Sequence, residues 1–338
     1  MKNNRYICET KRDDPMNYLE RYKEEVSSFI DTVQLNKTPE ELYAPIDYIL
    51  KIGGKRLRPI LTLFAAEVFG TSSKEAIYAA VAIEMFHNFS LIHDDIMDEA
   101  PLRRGNETVH QRWNLNTGIL SGDAMLILAY QYFENYKPEV FRDLAKLFSK
   151  TALEVCEGQQ LDINFETRDD VTISEYIKMI EYKTAVLVGA AFEMGAIVAE
   201  ASPENRQAIY DYGKYLGIAF QLQDDYLDAF GDAKTFGKQV GGDILENKKT
   251  FLYLKALENA DETQKKQLEK WFSTTENSAQ KVEEVKRLFI ETGVVTDSEE
   301  LTEIYTNKAL AILDQMQISS DYKEELREFS LNLMNRAV

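Results

Sequence analysis

The stretch Phe89-Ser90-Leu91-Ile92-His93-Asp94-Asp95-Ile96-Met97-Asp98 joins a mostly apolar run to three aspartates, and Ala219-Phe220-Gln221-Leu222-Gln223-Asp224-Asp225-Tyr226-Leu227-Asp228 repeats that arrangement. On a helix the first and last aspartates of each cluster lie about one turn apart on the same face, where like charges repel. Two such faces are tolerable in one fold if a cation lies between them, and oxygen ligands favour Mg²⁺ over zinc or copper. The repeat therefore predicts a metal site shared by two helices, against the alternative of two solvated acidic faces.

Outside the clusters, apolar residues recur every three or four positions, which is the periodicity of amphipathic helices. No two alternating runs are joined by Asn-Gly or Asp-Gly, the usual signature of a hairpin. Long helices are predicted over 121–136, 148–165 and 174–199, the last with close packing or a bend at Gly189 and Gly195. Helix ends are predicted at Thr38-Pro39 and Ser202-Pro203 (starts), Thr292-Gly293 (a stop) and Asp297 (a restart).

Composition is uniform along the chain and marks no linker. We therefore predict an all-α fold with a single domain over residues 1–338, of which residues 1–15 form a loose N-terminal segment. A hydrophobic content of 44% is ample for a buried core.

Only two cysteines occur, Cys8 and Cys156, in no ligand-like spacing, so neither a disulfide framework nor a zinc site is predicted. The longest apolar run, Thr184–Ala199, is too short to span a bilayer and contains Glu193. The first residues lack the apolar segment of a signal peptide. These features favour a cytoplasmic protein with no membrane span.

Charge limits the classes of partner. The chain has 57 acidic and 39 basic residues, a net charge of −18, which argues against a nucleic-acid partner because phosphate backbones bind basic surfaces. A phosphorylated ligand would need bridging cations and a local basic patch. Lys51-Ile52-Gly53-Gly54-Lys55-Arg56-Leu57-Arg58 supplies such a patch, although a basic loop after a helix is the alternative. The glycine-rich stretch 230–242, next to the second cluster, is predicted to be a mobile lid.

Taken in order, the motifs of this chain resemble those of the trans-isoprenyl diphosphate synthases, the polyprenyl synthetase family. They are GGKRLRP (53–59), DDIMDEAPLRRG (94–105), GQQLD (158–162), YKT (182–184), FQLQDDYLD (220–228), FGK (236–238) and NKKT (247–250). The resemblance implies an isoprenoid synthase fold, a helical bundle around a central active-site cavity. It also implies a homodimer.

The activity implied by the resemblance is Mg²⁺-dependent chain growth by a short-chain trans-prenyltransferase. An allylic diphosphate (dimethylallyl, geranyl or farnesyl) ionises, the double bond of isopentenyl diphosphate attacks the cation, and loss of a proton gives an all-trans C15–C20 prenyl diphosphate. The difficult step separates charge, so catalysis depends on stabilising the departing diphosphate. In the family, about three Mg²⁺ ions serve this purpose.

Site residues follow from the resemblance, position by position. The expected metal ligands are Asp94, Asp98 and Asp224. The expected catalytic set is Asp94, Asp95, Asp98, Arg103, Lys183, Thr184, Gln221, Asp224, Asp225 and Asp228. Isopentenyl diphosphate is assigned to Lys55, Arg58, His87 and Arg104, and the allylic diphosphate to Arg103, Lys183, Lys238 and Lys248. Thr184 and Gln221 complete the substrate-binding set, with oxygen dipoles expected to point at the developing cation. The family often has proline at Glu107 and glycine at Asn114 and Asn247; these departures affect only loop geometry.

Product length is expected to depend on residues before the first cluster. Ser90 lies almost below Asp94 on a helix, and periodicity alone does not direct Phe89 into a tunnel. In the family, however, a bulky aromatic five residues before the first aspartate closes the product cavity, and this assigns Phe89 to its floor. Phe86 and Met85, about a turn deeper, are expected to add to it. The aromatic and the short Asp-Asp-x-x-Asp motif favour geranylgeranyl over farnesyl diphosphate.

Three other functions remain open. A class I terpene cyclase shares the fold and the first motif, but its second motif differs and it does not need the basic patch. A di-iron carboxylate bundle would use Glu84-x-x-His87 and Glu107-x-x-His110, which have the required spacing, although only 23 residues separate the pairs. A non-catalytic helical subunit of the same superfamily usually lacks one aspartate motif.

Overall fold

The computed structural model describes residues 17–231, 241–274 and 278–334, and these are almost entirely helical. The longer helices are α1 (Asn17–Thr32), α2 (Glu40–Ile52), α3 (Leu57–Val68), α4 (Ile77–Met97), α6 (Leu115–Phe133), α7 (Pro138–Glu166), α8 (Ile173–Ile180), α9 (Val186–Val198) and α10 (Pro203–Phe230). The C-terminal part contains α12 (Phe251–Asn259), α13 (Glu262–Phe272), α14 (Ala279–Glu291), α15 (Val294–Gln315) and α16 (Ser320–Met334). Short elements are a 3₁₀ turn (Ser73–Ala76), α5 (Val109–Arg112), α11 (Gly242–Leu245) and an antiparallel pair of two-residue strands, Leu102–Arg103 with Asn106–Glu107. The predicted all-α fold is confirmed.

Helices α4, α9 and α10 form the centre of the molecule. Residues 79–86 of α4 and 186–192 of α9 are buried without interruption, as expected of helices that are apolar on every side. Helix α10 joins two apolar clusters, with Leu216 in the larger one and Leu222 in the other. The acidic ends of α4 and α10 are therefore carried on two helices of this centre.

Two glycines of α9 permit close packing. A Cβ built on Gly195 would lie 2.8 Å from the Cβ of Ala65 in α3, and one on Gly189 would lie 2.8 Å from the carbonyl oxygen of Tyr210 in α10. Close packing at these positions was one of the two predicted roles. The irregularity of this region lies elsewhere, in a π-helical segment (Glu181–Ala185) between α8 and α9.

The structure confirms some of the predicted helix ends. The hydroxyl of Ser202 caps α10 by accepting a bond of 3.3 Å from the Asn205 N–H, and Gly293, at φ +78°, follows the end of α14. The predicted restart at Asp297 is wrong, because α15 already begins at Val294, where the left-handed glycine reverses the chain.

Some predictions fall on residues that the structure leaves undescribed. These are the loose segment 1–15, Cys8, Lys238 and most of the glycine-rich stretch. Among the described residues, none of the helices combines the length and apolarity that a bilayer span requires.

Candidate active site

The two aspartate clusters line one cavity of about 370 Å³. Asp94 and Asp98 reach it from the C-terminal end of α4, and Asp224, Asp225 and Asp228 reach it from the end of α10. Asp95 faces the other side of α4 and is only 1% exposed. The structure thus brings five of the six clustered carboxylates together.

Asp95 holds Arg103, the first arginine of the small hairpin. The Arg103 Nε donates to Asp95 Oδ1 at 2.8 Å and to Oδ2 at 3.0 Å, and a terminal nitrogen lies 3.7 Å from Asp94 Oδ2. A planar guanidinium that a carboxylate binds along one edge keeps a fixed orientation. Asp95 therefore orients an arginine beside the acidic cavity instead of lining that cavity.

Lys183 lies between two acids. Its Nζ is 2.6 Å from Asp162 Oδ2 and 3.5 Å from Asp94 Oδ1. That Asp94 oxygen is buried and makes no hydrogen bond with the described residues. Asp162, from the GQQLD motif, was not among the predicted site residues, yet it lines the cavity and is the nearest anion to the lysine.

Lys183 and Thr184 both belong to the π-helical segment. Single π-helical turns inside helices are rare and often occur at functional sites. Helix α7 approaches this segment so closely at Gly158 that a Cβ there would lie 2.7 Å from the Lys183 Cα. The glycine of the GQQLD motif thus lets α7 pack directly against the backbone that carries Lys183.

The second cluster has its own hydrogen-bond network. Asp225, 8% exposed, accepts hydrogen bonds from the Tyr176 hydroxyl and from Gln221 Nε2, the latter at 2.7 Å. Gln221 Oε1 in turn accepts from the Thr184 hydroxyl at 3.1 Å. Asp228 accepts from the Asp243 N–H at 3.0 Å, which ties the end of α10 to the start of α11.

Crowding of carboxylates alters their acidity. Partial desolvation by the cavity wall, and then the charge of Asp94, raise the pKa of Asp98 to about 6. Burial, and then the charge of Asp243, raise the pKa of Asp225 to about 8. Both shifts mean that the cavity holds more negative charge than its surroundings solvate.

We expect this charge to make the metal-free protein less stable at alkaline pH. The folded-state pKa of Asp225, about 8, lies above the ordinary value of 3.8, so the folded protein binds more protons than the unfolded chain between these values. Its free energy of unfolding therefore falls as pH rises through that window. Calorimetry in a chelator should give a higher Tm at pH 6 than at pH 9, with a smaller difference in Asp225→Asn. An equal pH dependence in the variant would contradict this assignment.

The donor set fits Mg²⁺ held jointly with a ligand. The buried Asp94 oxygen, which has no hydrogen bond with the described residues, and the raised pKa values of Asp98 and Asp225 both indicate a place where a cation lowers the energy. In the described parts of the chain, no group of three acidic, histidine or cysteine side chains is arranged to hold an ion alone. Magnesium is commonly bound by one or two carboxylates plus substrate phosphates and water, which is consistent with both findings.

Arg58 and His87 line the same cavity and lie close to further basic side chains. Arg58 donates to His87 Nε2 at 3.2 Å, and its Nε is buried without a hydrogen-bond partner among the described residues. Burial, and then Arg58 and Arg104, hold the pKa of His87 well below its ordinary value, so the ring is a neutral acceptor. The Arg104 guanidinium packs on Gly54, where a Cβ would come within 2.6 Å of its central carbon. An arginine cluster with an unused donor is suited to an anion.

Arg56 shows why the di-iron arrangement does not form. This residue has φ +51° and is 8% exposed, and its guanidinium binds Glu84 and the carbonyl of Leu50. Glu84 is thereby committed to a buried ion pair, and Glu107 is exposed on the small hairpin. The spacing that matched a di-iron site therefore has a different cause, the anchoring of the basic patch.

A second cavity, of about 300 Å³, adjoins the first and is more apolar. The two share Arg58, His87, Leu91, Asp94, Lys183 and Thr184, so one continuous space leads from the charged groups into the apolar part. Phe89 and Ser90 line this second cavity, as expected. Sequence reasoning missed nine other lining residues, among them Val155, Cys156 and Leu187.

Two of the residues expected at the cavity floor lie behind its wall. Met85 and Phe86 are 0% and 1% exposed and line neither cavity. The Phe86 ring packs against Phe89 at 5.4 Å and against Phe148 at 5.2 Å between ring centres. They are one turn deeper, as predicted, but their side chains face the core, so they act on the cavity only through Phe89.

Lys55, which was predicted to bind isopentenyl diphosphate, lines neither of these two cavities. It is exposed and lines a separate hollow between α1 and α16, with Tyr18 and Glu328. The neighbouring Arg58 lies about one turn further along α3 and faces the cavity instead. The structure thus does not bring Lys55 to the site, whereas Lys248 lines the main cavity.

Comparison with known proteins agrees with this geometry. A profile of the family described as polyprenyl synthetase matches residues 39–289. The chain is 39% identical to a protein of Geoglobus acetivorans named geranylgeranyl pyrophosphate synthase, over 90% of this chain and 94% of the relative. A crystal structure titled geranylgeranyl pyrophosphate synthase is 52% identical, with a TM-score of 0.90, covering 97% of this chain and all of that one.

A further solved structure resembles the chain at lower identity. It is a geranylgeranyl pyrophosphate synthase from Corynebacterium glutamicum complexed with isoprenyl diphosphate and magnesium, 27% identical, with a TM-score of 0.84, covering 96% of this chain and all of that one. The family match covers more than half of the chain, and the relatives align over nearly their full lengths. The chain therefore belongs to the polyprenyl synthetase family of prenyltransferases.

Proposed function

We propose that this protein is a geranylgeranyl diphosphate synthase that joins isopentenyl diphosphate to allylic diphosphates. The observation that carries the proposal is the continuous space in which two carboxylate clusters and a cationic pocket adjoin an apolar cavity. A charged head group and a long hydrocarbon tail need these two environments side by side.

In this proposal Asp94, Asp98 and Asp224 hold about three Mg²⁺ ions together with the diphosphate of the allylic substrate. When bound, Mg²⁺ supplies positive charge to the oxygens of the departing diphosphate. Lys183 and Lys248 add further positive charge from the cavity wall. Arg103 adds positive charge beside the cavity, where Asp95 holds it by hydrogen bonds. Because these groups are already oriented by Asp162, Asp243 and Asp95, little rearrangement is needed as charge develops.

Arg58, His87 and Arg104 form the pocket for isopentenyl diphosphate. The Arg58 Nε–H has no hydrogen-bond partner among the described residues, and His87 is neutral. An anion can therefore bind Arg58 there without displacing a carboxylate of the protein. Thr184 and Gln221, joined by a hydrogen bond, direct oxygen dipoles to the space between the two substrates, where the carbocation forms. The released diphosphate accepts the proton, so no protein base is required.

The apolar cavity beside Asp94 receives the growing chain, and Phe89 limits its depth. We expect Phe89→Ala to extend the main product beyond C20, because removing the ring opens the cavity toward Phe86. Product chains are to be measured by mass spectrometry after incubation with isopentenyl and farnesyl diphosphates. Phe141→Ala, at an exposed phenylalanine of α7, serves as the matched control and should leave product length unchanged. If both variants gave wild-type products, Phe89 would not limit the chain.

We also propose a homodimer. The exposed face of α6 carries Leu115, Ile119, Leu120 and Ile127, each at least 39% exposed in the isolated chain. Apolar residues gathered on one helix face favour association, since isolated exposed leucines are ordinary but a stripe of them is not. Light scattering on the purified protein tests this stoichiometry.

The decisive experiment is product analysis with dimethylallyl, geranyl and farnesyl diphosphates in turn, each with and without isopentenyl diphosphate. A synthase gives a longer prenyl diphosphate only when isopentenyl diphosphate and Mg²⁺ are both present. Hydrocarbon released without isopentenyl diphosphate would identify a terpene cyclase. No turnover by the protein alone would favour a non-catalytic subunit, and a main product of C15 would overturn the choice of geranylgeranyl diphosphate.

A further inference from the structure

A buried lysine, Lys281 on α14, lies directly behind the turn that carries Lys248. Its side chain is 0% exposed. Its Nζ donates to Asn247 Oδ1 at 2.7 Å, to the Thr274 carbonyl at 3.2 Å and to the Leu245 carbonyl at 3.3 Å. Asn247 Nδ2 donates to the same Thr274 carbonyl at 3.0 Å, which closes the network.

Asn247 occupies the left-handed region, with φ +58°. Glycine adopts this conformation readily, and asparagine is among the few other residues that tolerate it. With asparagine at this position, the backbone stays left-handed and the side chain provides an amide for Lys281. The left-handed asparagine and the buried lysine are thus the two halves of one contact.

Further contacts fix the same turn to its surroundings. The Gly241 N–H donates to the carbonyl of Asp228, and a Cβ on Gly241 would lie 2.7 Å from Val282, next to Lys281. On the far side, Lys249 Nζ donates to the carbonyl of Phe165 at 2.8 Å, at the end of α7. Between these anchors Lys248 faces the cavity, 2.8 Å from Glu246 and 3.6 Å from Asp243.

We propose that Lys281 and Asn247 are positioning residues that hold the Lys248 turn in place for the diphosphate of the allylic substrate. The inference rests on the proposed function, since it takes the role of Lys248 from there. Its physical basis is that three carbonyl groups and an ammonium share one buried network, and buried polar groups that lose a partner are costly. Without Lys281, the turn would have to open toward water, and Lys248 would move with it.

The first test compares Michaelis constants in Lys281→Met, which keeps the side-chain length and removes the donor. We expect the KM for farnesyl diphosphate to rise about 10- to 100-fold, the usual effect of losing a partner that orients a ligand-binding group. The KM for isopentenyl diphosphate should change little, because Arg58 and His87 belong to other helices, α3 and α4. Lys266→Met, at an exposed lysine of α13, is the control and should match wild type. Equal changes in both constants, or none, would overturn the proposal.

Asn247→Gly gives a second test that keeps the lysine and is compatible with φ +58°, so it should fold even if Lys281→Met does not. It should raise the same KM by a smaller factor. In the double variant the effect should be smaller than the product of the two single effects, since both changes remove the bond between Lys281 and Asn247. Effects that multiply would show that the two residues act separately.

Binding of inorganic pyrophosphate at saturating Mg²⁺, measured by calorimetry, needs no catalysis. We expect Lys281→Met to weaken it by a factor similar to the change in KM. If the wild-type protein formed no prenyl diphosphate, the proposed function would fail, while this comparison would still report on Lys281. If wild type were active and pyrophosphate bound equally well to both proteins, only the positioning role would fail.

Discussion

Replacing Asp94 by asparagine should lower kcat/KM by on the order of 10³-fold, the upper range for loss of one preorganised charge-stabilising group. Asp94 is the acid that faces both cavities, at the junction of head group and tail. Its buried oxygen makes no hydrogen bond with the part of the chain that the structure describes, where the nearest cation to it, Lys183, is 3.5 Å away. An amide at this position removes the charge that a bound cation needs, with little change in shape.

The same substitution should not destabilise the metal-free protein. Asp94 contributes to raising the pKa of Asp98, so the variant relieves repulsion and its Tm in chelator should equal or exceed that of wild type. Activity is to be followed with labelled isopentenyl diphosphate over a range of Mg²⁺ concentrations. Asp47→Asn, at an exposed aspartate of α2 paired with Lys51, is the control. A variant with more than a tenth of wild-type activity would show that Asp94 is not required.

The sequence predicted the helical fold and the acidic cavity because both depend on local patterns. Apolar spacing of three and four is visible within one helix, and the two clusters are duplicates that only need a common direction. The basic patch was also evident, and Arg58 lies where it was expected. What each aspartate does was harder to see, since Asp95 and Asp225 carry the same charge as Asp94 but hold Arg103 and Tyr176.

The remaining features arise from contacts between distant positions. The pairing of Lys183 with Asp162 joins residues 21 positions apart, and that of Lys281 with Asn247 joins residues 34 apart. No periodic pattern relates such pairs. Phe86 illustrates the same limit, because depth along α4 follows from counting residues, whereas its direction depends on Phe148 of α7.

The second large loss of activity is expected from a substitution in helix α7. Gly158→Ala should reduce kcat/KM by about 10²-fold, the loss that follows a displacement of about 1 Å in a reacting arrangement. The added methyl group would lie 2.7 Å from the Lys183 Cα and closer still to its backbone nitrogen. Backbone atoms cannot rotate away as a side-chain tip does, so α7 or the π-helical segment must shift. Lys183 and Thr184 would then move relative to Asp94 and Gln221.

Stability should fall in the same variant, by about 1–3 kcal/mol for an overpacked interior. Gly118→Ala on α6 is the matched control, because the nearest atom to its new Cβ is the Cδ1 of Ile96, the end of a flexible side chain, at 2.9 Å. Alanine also favours a helix over glycine by about 0.5–1 kcal/mol, so this control should be neutral or slightly stabilising. Thermal unfolding and kcat/KM are to be measured on both variants. Wild-type activity in Gly158→Ala would mean that the close approach of α7 serves packing alone, and that the position of Lys183 does not depend on it.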